Sequence, residues 1–145
     1  MMSRRFALAA ALVAGTFAVA GCGSMNSSSM TPGAMSASMS GGSEVPPTTS
    51  AGTGMAKVNL SGNSLTWTVT YSGLSGPVKA GHFHGPAAPG SNAGVVVPFT
   101  GSLDSPISGS ATLTDAQVAD LKAGKWYVNL HTAASPGGEI RGQVK

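Results

Sequence analysis

Ser64 to Tyr71 alternates without a break. Leu65, Trp67, Val69 and Tyr71 fall on one face, and Thr66, Thr68 and Thr70 on the other. Period two carried by β-branched and aromatic residues marks a half-buried strand. Ala56 to Leu60 alternates in the same way, and Ser61-Gly62-Asn63 joins the two as a hairpin. The pattern predicts further strands over 78–84, 94–99, 107–113, 125–132 and 138–144, with Gly and Pro collected between them, as at 85–94 and 135–138. Only 114–124 reads as helix: Thr114 suits an N-cap, Asp115 the first turn and Gly124 the C-terminal cap. About seven short strands with one short crossover helix predict an all-β fold, a Greek-key β-sandwich or flattened barrel.

The first 43 residues follow other rules. Arg4 and Arg5 precede an apolar run from Phe6 to Ala20, which ends in Val19-Ala20-Gly21-Cys22. Fifteen apolar residues are short for a membrane span and suit a signal peptide. The four residues ending in Cys22 resemble the bacterial lipobox, which implies cleavage after residue 21 and acylation of Cys22. Two or three acyl chains anchor a protein stably. Gly23 in place of Asp favours the outer membrane, facing the periplasm, if the cell is Gram-negative. Residues 23–43 carry no charge, aromatic or branched aliphatic side chain, so 22–43 is expected to be a flexible tether. Met25, Met30, Met35 and Met39 punctuate it. Thioethers are soft ligands for Cu(I), but a flexible segment fixes no geometry, and filler is the plainer reading.

The expected organisation is therefore signal peptide 1–21, tether 22–43 and one domain over 44–145. The whole chain has a net charge of +3, but the two signal arginines contribute to it. The predicted domain has six basic and five acidic side chains, a net +1. That balance, with no basic cluster, argues against nucleic-acid binding. A single cysteine excludes a disulfide framework within the chain. No Gly-x-Ser-x-Gly elbow, phosphate-binding glycine loop or close carboxylate pair offers catalysis, and no catalytic residue is assigned.

Histidine is the exception. His82 and His84 lie two apart in one predicted strand and share a face. In the strand containing Trp126 to His131, Trp126, Val128 and Leu130 claim the core, which puts His131 outward with Asn129 and Tyr127. Phe83 is likewise the core residue between two outward histidines, although the alternation slips near Val78 to Ala80. Three imidazoles on matching faces suit copper, with zinc second. Structural or hydrogen-bonding roles are the alternative. Water or a neighbouring oxygen would complete the coordination, and Asn129 is the expected orienter of a ligand.

Four motifs then resemble the CHRD domain, named after chordin. They are Glu44-Val45-Pro46-Pro47, Gly81-His82-Phe83-His84-Gly85-Pro86-Ala87, the run from Leu121 to Thr132, and the run from Gly137 to Val144. The resemblance implies a small secreted or lipidated bacterial protein; in chordin the domain belongs to an extracellular, protein-binding protein. The His-x-His strand with a late histidine also resembles the copper site of the Cu/Zn superoxide dismutase-like sandwich, an analogy at the level of fold. Three histidines cannot supply both a bridging histidine and a zinc site, so such a centre would be copper-only. Arg141 can attract an anion there, or pair with Glu139 two residues away on its strand face, or cap nearby carbonyls, and the structural roles are preferred.

Three functions are therefore expected to compete. One is an envelope-anchored lipoprotein that captures or buffers copper through His82, His84 and His131. Another is a metal-free module that binds an envelope protein partner. The third is a copper-only enzyme acting on superoxide.

Overall fold

The computed structural model describes residues 31–145. The apolar run, Cys22 and the methionines at 25 and 30 lie outside the described residues. Eight antiparallel strands form one sheet: β1 (Ala34–Ser40), β2 (Thr53–Ser61), β3 (Ser64–Ser72), β4 (Val78–His84), β5 (Val95–Pro98), β6 (Ile107–Thr112), β7 (Tyr127–Thr132) and β8 (Ile140–Gln143). Their spatial order is β5-β4-β7-β8-β1-β2-β3-β6. The sheet curls into a nearly closed barrel, as the all-β expectation required. Phe99, just past β5, stacks on Trp67 of β3 at 5.4 Å and meets Phe83 of β4 edge-on at 5.2 Å. The two ends of the sheet thus face each other across one aromatic cluster.

Alternation decides what points inward. Leu65, Trp67 and Val69 of β3 are buried, as are Ala56, Val58 and Leu60 of β2, and the threonines between the β3 residues are exposed. Trp67 lies across Gly109, its register partner on β6, where a Cβ would run into the indole. Helix α1 (Asp115–Lys122) links β6 to β7. Thr114 Oγ1 accepts from the Gln117 N–H at 3.2 Å, and the Thr114 N–H donates to Gln117 Oε1 at 2.9 Å, a capping box that satisfies exposed helix-end groups. Gly124 ends the helix at φ +71°, in the left-handed region. No helix among the described residues is long and apolar enough to cross a membrane.

One boundary is corrected. The expected tether over 22–43 does not extend to the first predicted strand, because residues 34–40 form β1 and pair along their whole length with β2. Met35, Ala37 and Met39 point inward, and Ala37 and Met39 are fully buried. Small side chains let this strand sit in the middle of the sheet. Beside it, a Cβ on Gly142 would run into the Ser38 carbonyl. The C-terminus closes against the same strand, with Ser36 and Lys145 exchanging backbone hydrogen bonds of 2.8 and 2.9 Å. The domain therefore begins at β1 rather than at Glu44.

Candidate metal centre

β4 and β7 are neighbours, and their register sets the composition of their outer face. His82 lies opposite Asn129, Ala80 opposite His131 and His84 opposite Tyr127. The alternation slips where it was expected to, at a bulge between Val78 and Ala80. Phe83, Val128 and Leu130 take the core side and are fully buried. The three histidines share the other side with Asn129 and Tyr127. Their ligand atoms all lie within 4.8 Å of one another. His82 Nδ1 is 3.1 Å from His131 Nε2, and Asn129 Oδ1 is 3.0 Å from both His84 Nε2 and His131 Nε2.

This face is not a wet surface. Asn129 and Tyr127 are each 3% exposed, His84 is buried, and His82 and His131 are half-buried. The 85–94 loop supplies much of the cover. Tyr127 Oη donates to the Ala93 carbonyl and accepts from the Ala93 N–H, both at 3.1 Å. Burial pushes the pKa of His82 below its ordinary value, helped by repulsion from His131 and His84. Burial also pushes His84 down, against the opposing pull of its bonds to Ala93 and Asn129. Depressed pKa values keep both rings in the neutral form that binds metal.

Backbone carbonyls fix which nitrogen is free. His84 Nδ1 lies 3.0 Å from the Ala93 carbonyl, and His131 Nδ1 lies 2.9 Å from the Pro136 carbonyl. A carbonyl only accepts, so both Nδ1 atoms carry the proton. In the neutral rings the Nε2 lone pairs are then free, and both face Asn129 and each other. Metal-binding histidines are held in this way, with the far nitrogen donating to a fixed acceptor. The donor set thus fits a single metal ion, with His82 as the third ligand.

Of the roles expected for Arg141, carbonyl capping is the one the structure shows. Arg141 does not pair with Glu139. Its guanidinium lies 3.4 Å over the Tyr127 ring, donates to Asn92 Oδ1 at 2.8 Å and donates to the Ser91 carbonyl. Glu139 is instead enclosed by hydroxyl donors from Ser50, Ser75 and Thr132 and by the Ser75 N–H. Burial pushes its pKa up, but those hydrogen bonds outweigh it and hold the carboxyl at about 2. Glu139 lies just before β8, the strand that carries Arg141.

Glu44 stands beside the site, a placement its motif did not disclose. It is buried, and its Oε1 has no partner that meets hydrogen-bond geometry. Burial raises its pKa, while Arg141 and the adjacent Asn129 amide draw it back down. A cleft of about 370 Å³ over Glu44, Arg141 and Gln143 adjoins this region, and none of the histidines lines it.

No curated protein and no solved structure matches the chain. The family model described as the CHRD domain matches residues 35–144, beginning within β1 and ending one residue before the C-terminus. The chain belongs to the CHRD domain family.

Proposed function

We propose that this protein is an envelope-anchored CHRD-domain lipoprotein that binds copper, for capture or buffering of the ion. One observation carries the reading: three imidazoles meet on one covered face, two of them turned by backbone carbonyls so that Nε2 faces inward. Copper(II) heads the divalent affinity order at nitrogen sites, and zinc takes the same donors less tightly. When bound, copper supplies a centre able to change charge by one electron. The chain's own part is to hold and orient. His82, His84 and His131 would be the ligands, the Ala93 and Pro136 carbonyls set two of the rings, and the 85–94 loop keeps water from one side.

Arg141 favours capture over turnover of superoxide. Arg141 is 2% exposed and its guanidinium is committed to Tyr127, Asn92 and Ser91, which leaves it unsuited to guiding an anion. The anchor in this reading is acylated Cys22, with the domain facing the periplasm from the outer membrane if the cell is Gram-negative. A fatty-acid probe should label the wild type and not Cys22→Ala; equal labelling removes the anchor.

The test of the metal is copper content after purification from metal-replete medium. About one ion per chain is expected, and none in the His82→Ala, His84→Ala, His131→Ala triple variant. Copper-free wild type would leave a metal-free interaction module as the better reading.

A further inference from the structure

We infer that Asn129 is itself a ligand of the ion, through Oδ1, and that Glu44 holds the amide in the required orientation. This rests on the three-histidine reading. His84 Nε2 and His131 Nε2 each bear a lone pair, because their Nδ1 protons go to carbonyls. Asn129 Oδ1 is also an acceptor, yet it lies 3.0 Å from both nitrogens. No proton is available to join either pair. Acceptors brought so close repel one another unless a cation lies among them.

The spacing is that of donor atoms sharing one ion. Metal–nitrogen bonds of about 2.0–2.1 Å place neighbouring ligand atoms roughly 3 Å apart. The separations of 3.0, 3.0 and 3.1 Å among His84 Nε2, Asn129 Oδ1, His131 Nε2 and His82 Nδ1 follow that pattern. A purely orienting asparagine would touch a ligand ring at its far nitrogen. Asn129 instead touches two rings at the nitrogens left free for metal.

Turning the amide over would place NH₂ toward the histidines and relieve the repulsion. Glu44 opposes that turn. Its Oε1 is buried and lacks a well-aligned partner, and it crowds the same point as Asn129 Nδ2: a Cβ on Gly138 would run into both. Turning the amide would bring its oxygen against this carboxylate. The amide N–H therefore faces Glu44 and the oxygen faces the histidines. The result is an N₃O donor set in which the oxygen comes from an uncharged side chain.

The experiment compares the full chain in detergent with Asn129→Asp and Asn129→Leu, using Cu(II) affinity and EPR. Asn129→Asp, made together with Glu44→Gln so that no carboxylate faces the new one, keeps an oxygen at the ion and adds charge, so binding should tighten and the spectrum should shift. Asn129→Leu should weaken binding beyond the roughly 10–100-fold that loss of an orienting group costs. It should also change the copper spectrum. An orienting role predicts no tightening and an unchanged copper spectrum, because a side chain that only orients a ligand lies outside the coordination of the ion. Binding that fails to tighten in the Asn129→Asp, Glu44→Gln double variant, with a wild-type spectrum, overturns the inference while leaving the histidine site intact, and it does so even if the Leu variant fails to fold. Absence of Cu(II) binding by the wild type overturns both.

Discussion

The imidazole of His84 lies flat on the ring of Tyr127, 2° from parallel with centroids 4.7 Å apart. Tyr127 meets the Arg141 guanidinium from the neighbouring strand β8, and its hydroxyl grips Ala93, whose carbonyl accepts from His84. One side chain thus sets the plane of a candidate ligand and the loop that fixes its tautomer. Tyr127→Leu should lower copper affinity about 10–100-fold, the range for loss of a group that orients a ligand. Tyr127→Phe keeps the stacking and should lose less. Isothermal titration of both variants checks the order; equal losses would show that stacking contributes nothing.

Trp126 is 1% exposed and packs toward Phe83, with centroids 6.0 Å apart. Trp126→Ala should cost about 3–5 kcal/mol of stability, the usual range for removing a buried tryptophan. Chemical denaturation measures this. A midpoint near that of the wild type would contradict the inward placement of Trp126 and, with it, the outward placement of His131.

β1 should prove essential to folding. Met39→Ala removes a fully buried side chain from the central strand and should cost about 2–5 kcal/mol. A chain beginning at Gly42 lacks β1 altogether and leaves β2 and β8 without their shared neighbour. It should show no cooperative thermal transition by circular dichroism, whereas a chain beginning at Thr31 should melt like the full protein. A cooperative melt of the shorter chain would mean that β1 only decorates the barrel.

Two pH effects follow from the shifted groups. Glu139 has a folded pKa near 2 against 4.5 in the unfolded chain, so its contribution is present above 4.5 and is lost as pH falls toward 2. Glu139→Gln should remove much of that acid dependence, measured as melting temperature against pH. His82 and His84 have folded pKa values below 6.5. The unfolded chain therefore takes up protons first, and the metal-free domain should lose stability as pH drops below 6.5. Copper affinity should persist to lower pH than for an imidazole titrating at 6.5, and then fall as the folded histidines protonate.

The sheet and the histidine face were legible because both obey period two. Leu65, Trp67 and Val69 against three threonines leave one solution for β3, and Phe83 between two histidines leaves one for β4. β1 obeys the same rule, with Met35, Ala37 and Met39 inward and serines outward. Its composition concealed it: small and unbranched side chains resemble a linker, yet close strand packing requires small ones there. Arg141 caps a carbonyl rather than pairing with Glu139, because spacing along a strand takes no account of the hydroxyls that surround the carboxylate or of the Ser91 and Asn92 oxygens that hold the guanidinium. Glu44 belongs to the Glu44-Val45-Pro46-Pro47 motif, but nothing in its spacing reveals that it meets Asn129 across the fold.

The recruitment of β1 also governs how far the domain can stand from a surface. With Cys22 as the proposed point of attachment, only eleven residues lie between it and Ala34, a leash of at most about 40 Å when fully drawn out. The leash enters at the Ala34 end of β1, whereas Ser40, at the other end, lies in the row that continues through Arg141 and Asn129 to His82. The seven residues of the strand set its two ends about 20 Å apart. The histidines of β4 and β7 thus occupy the level of β1's end that is remote from the proposed attachment.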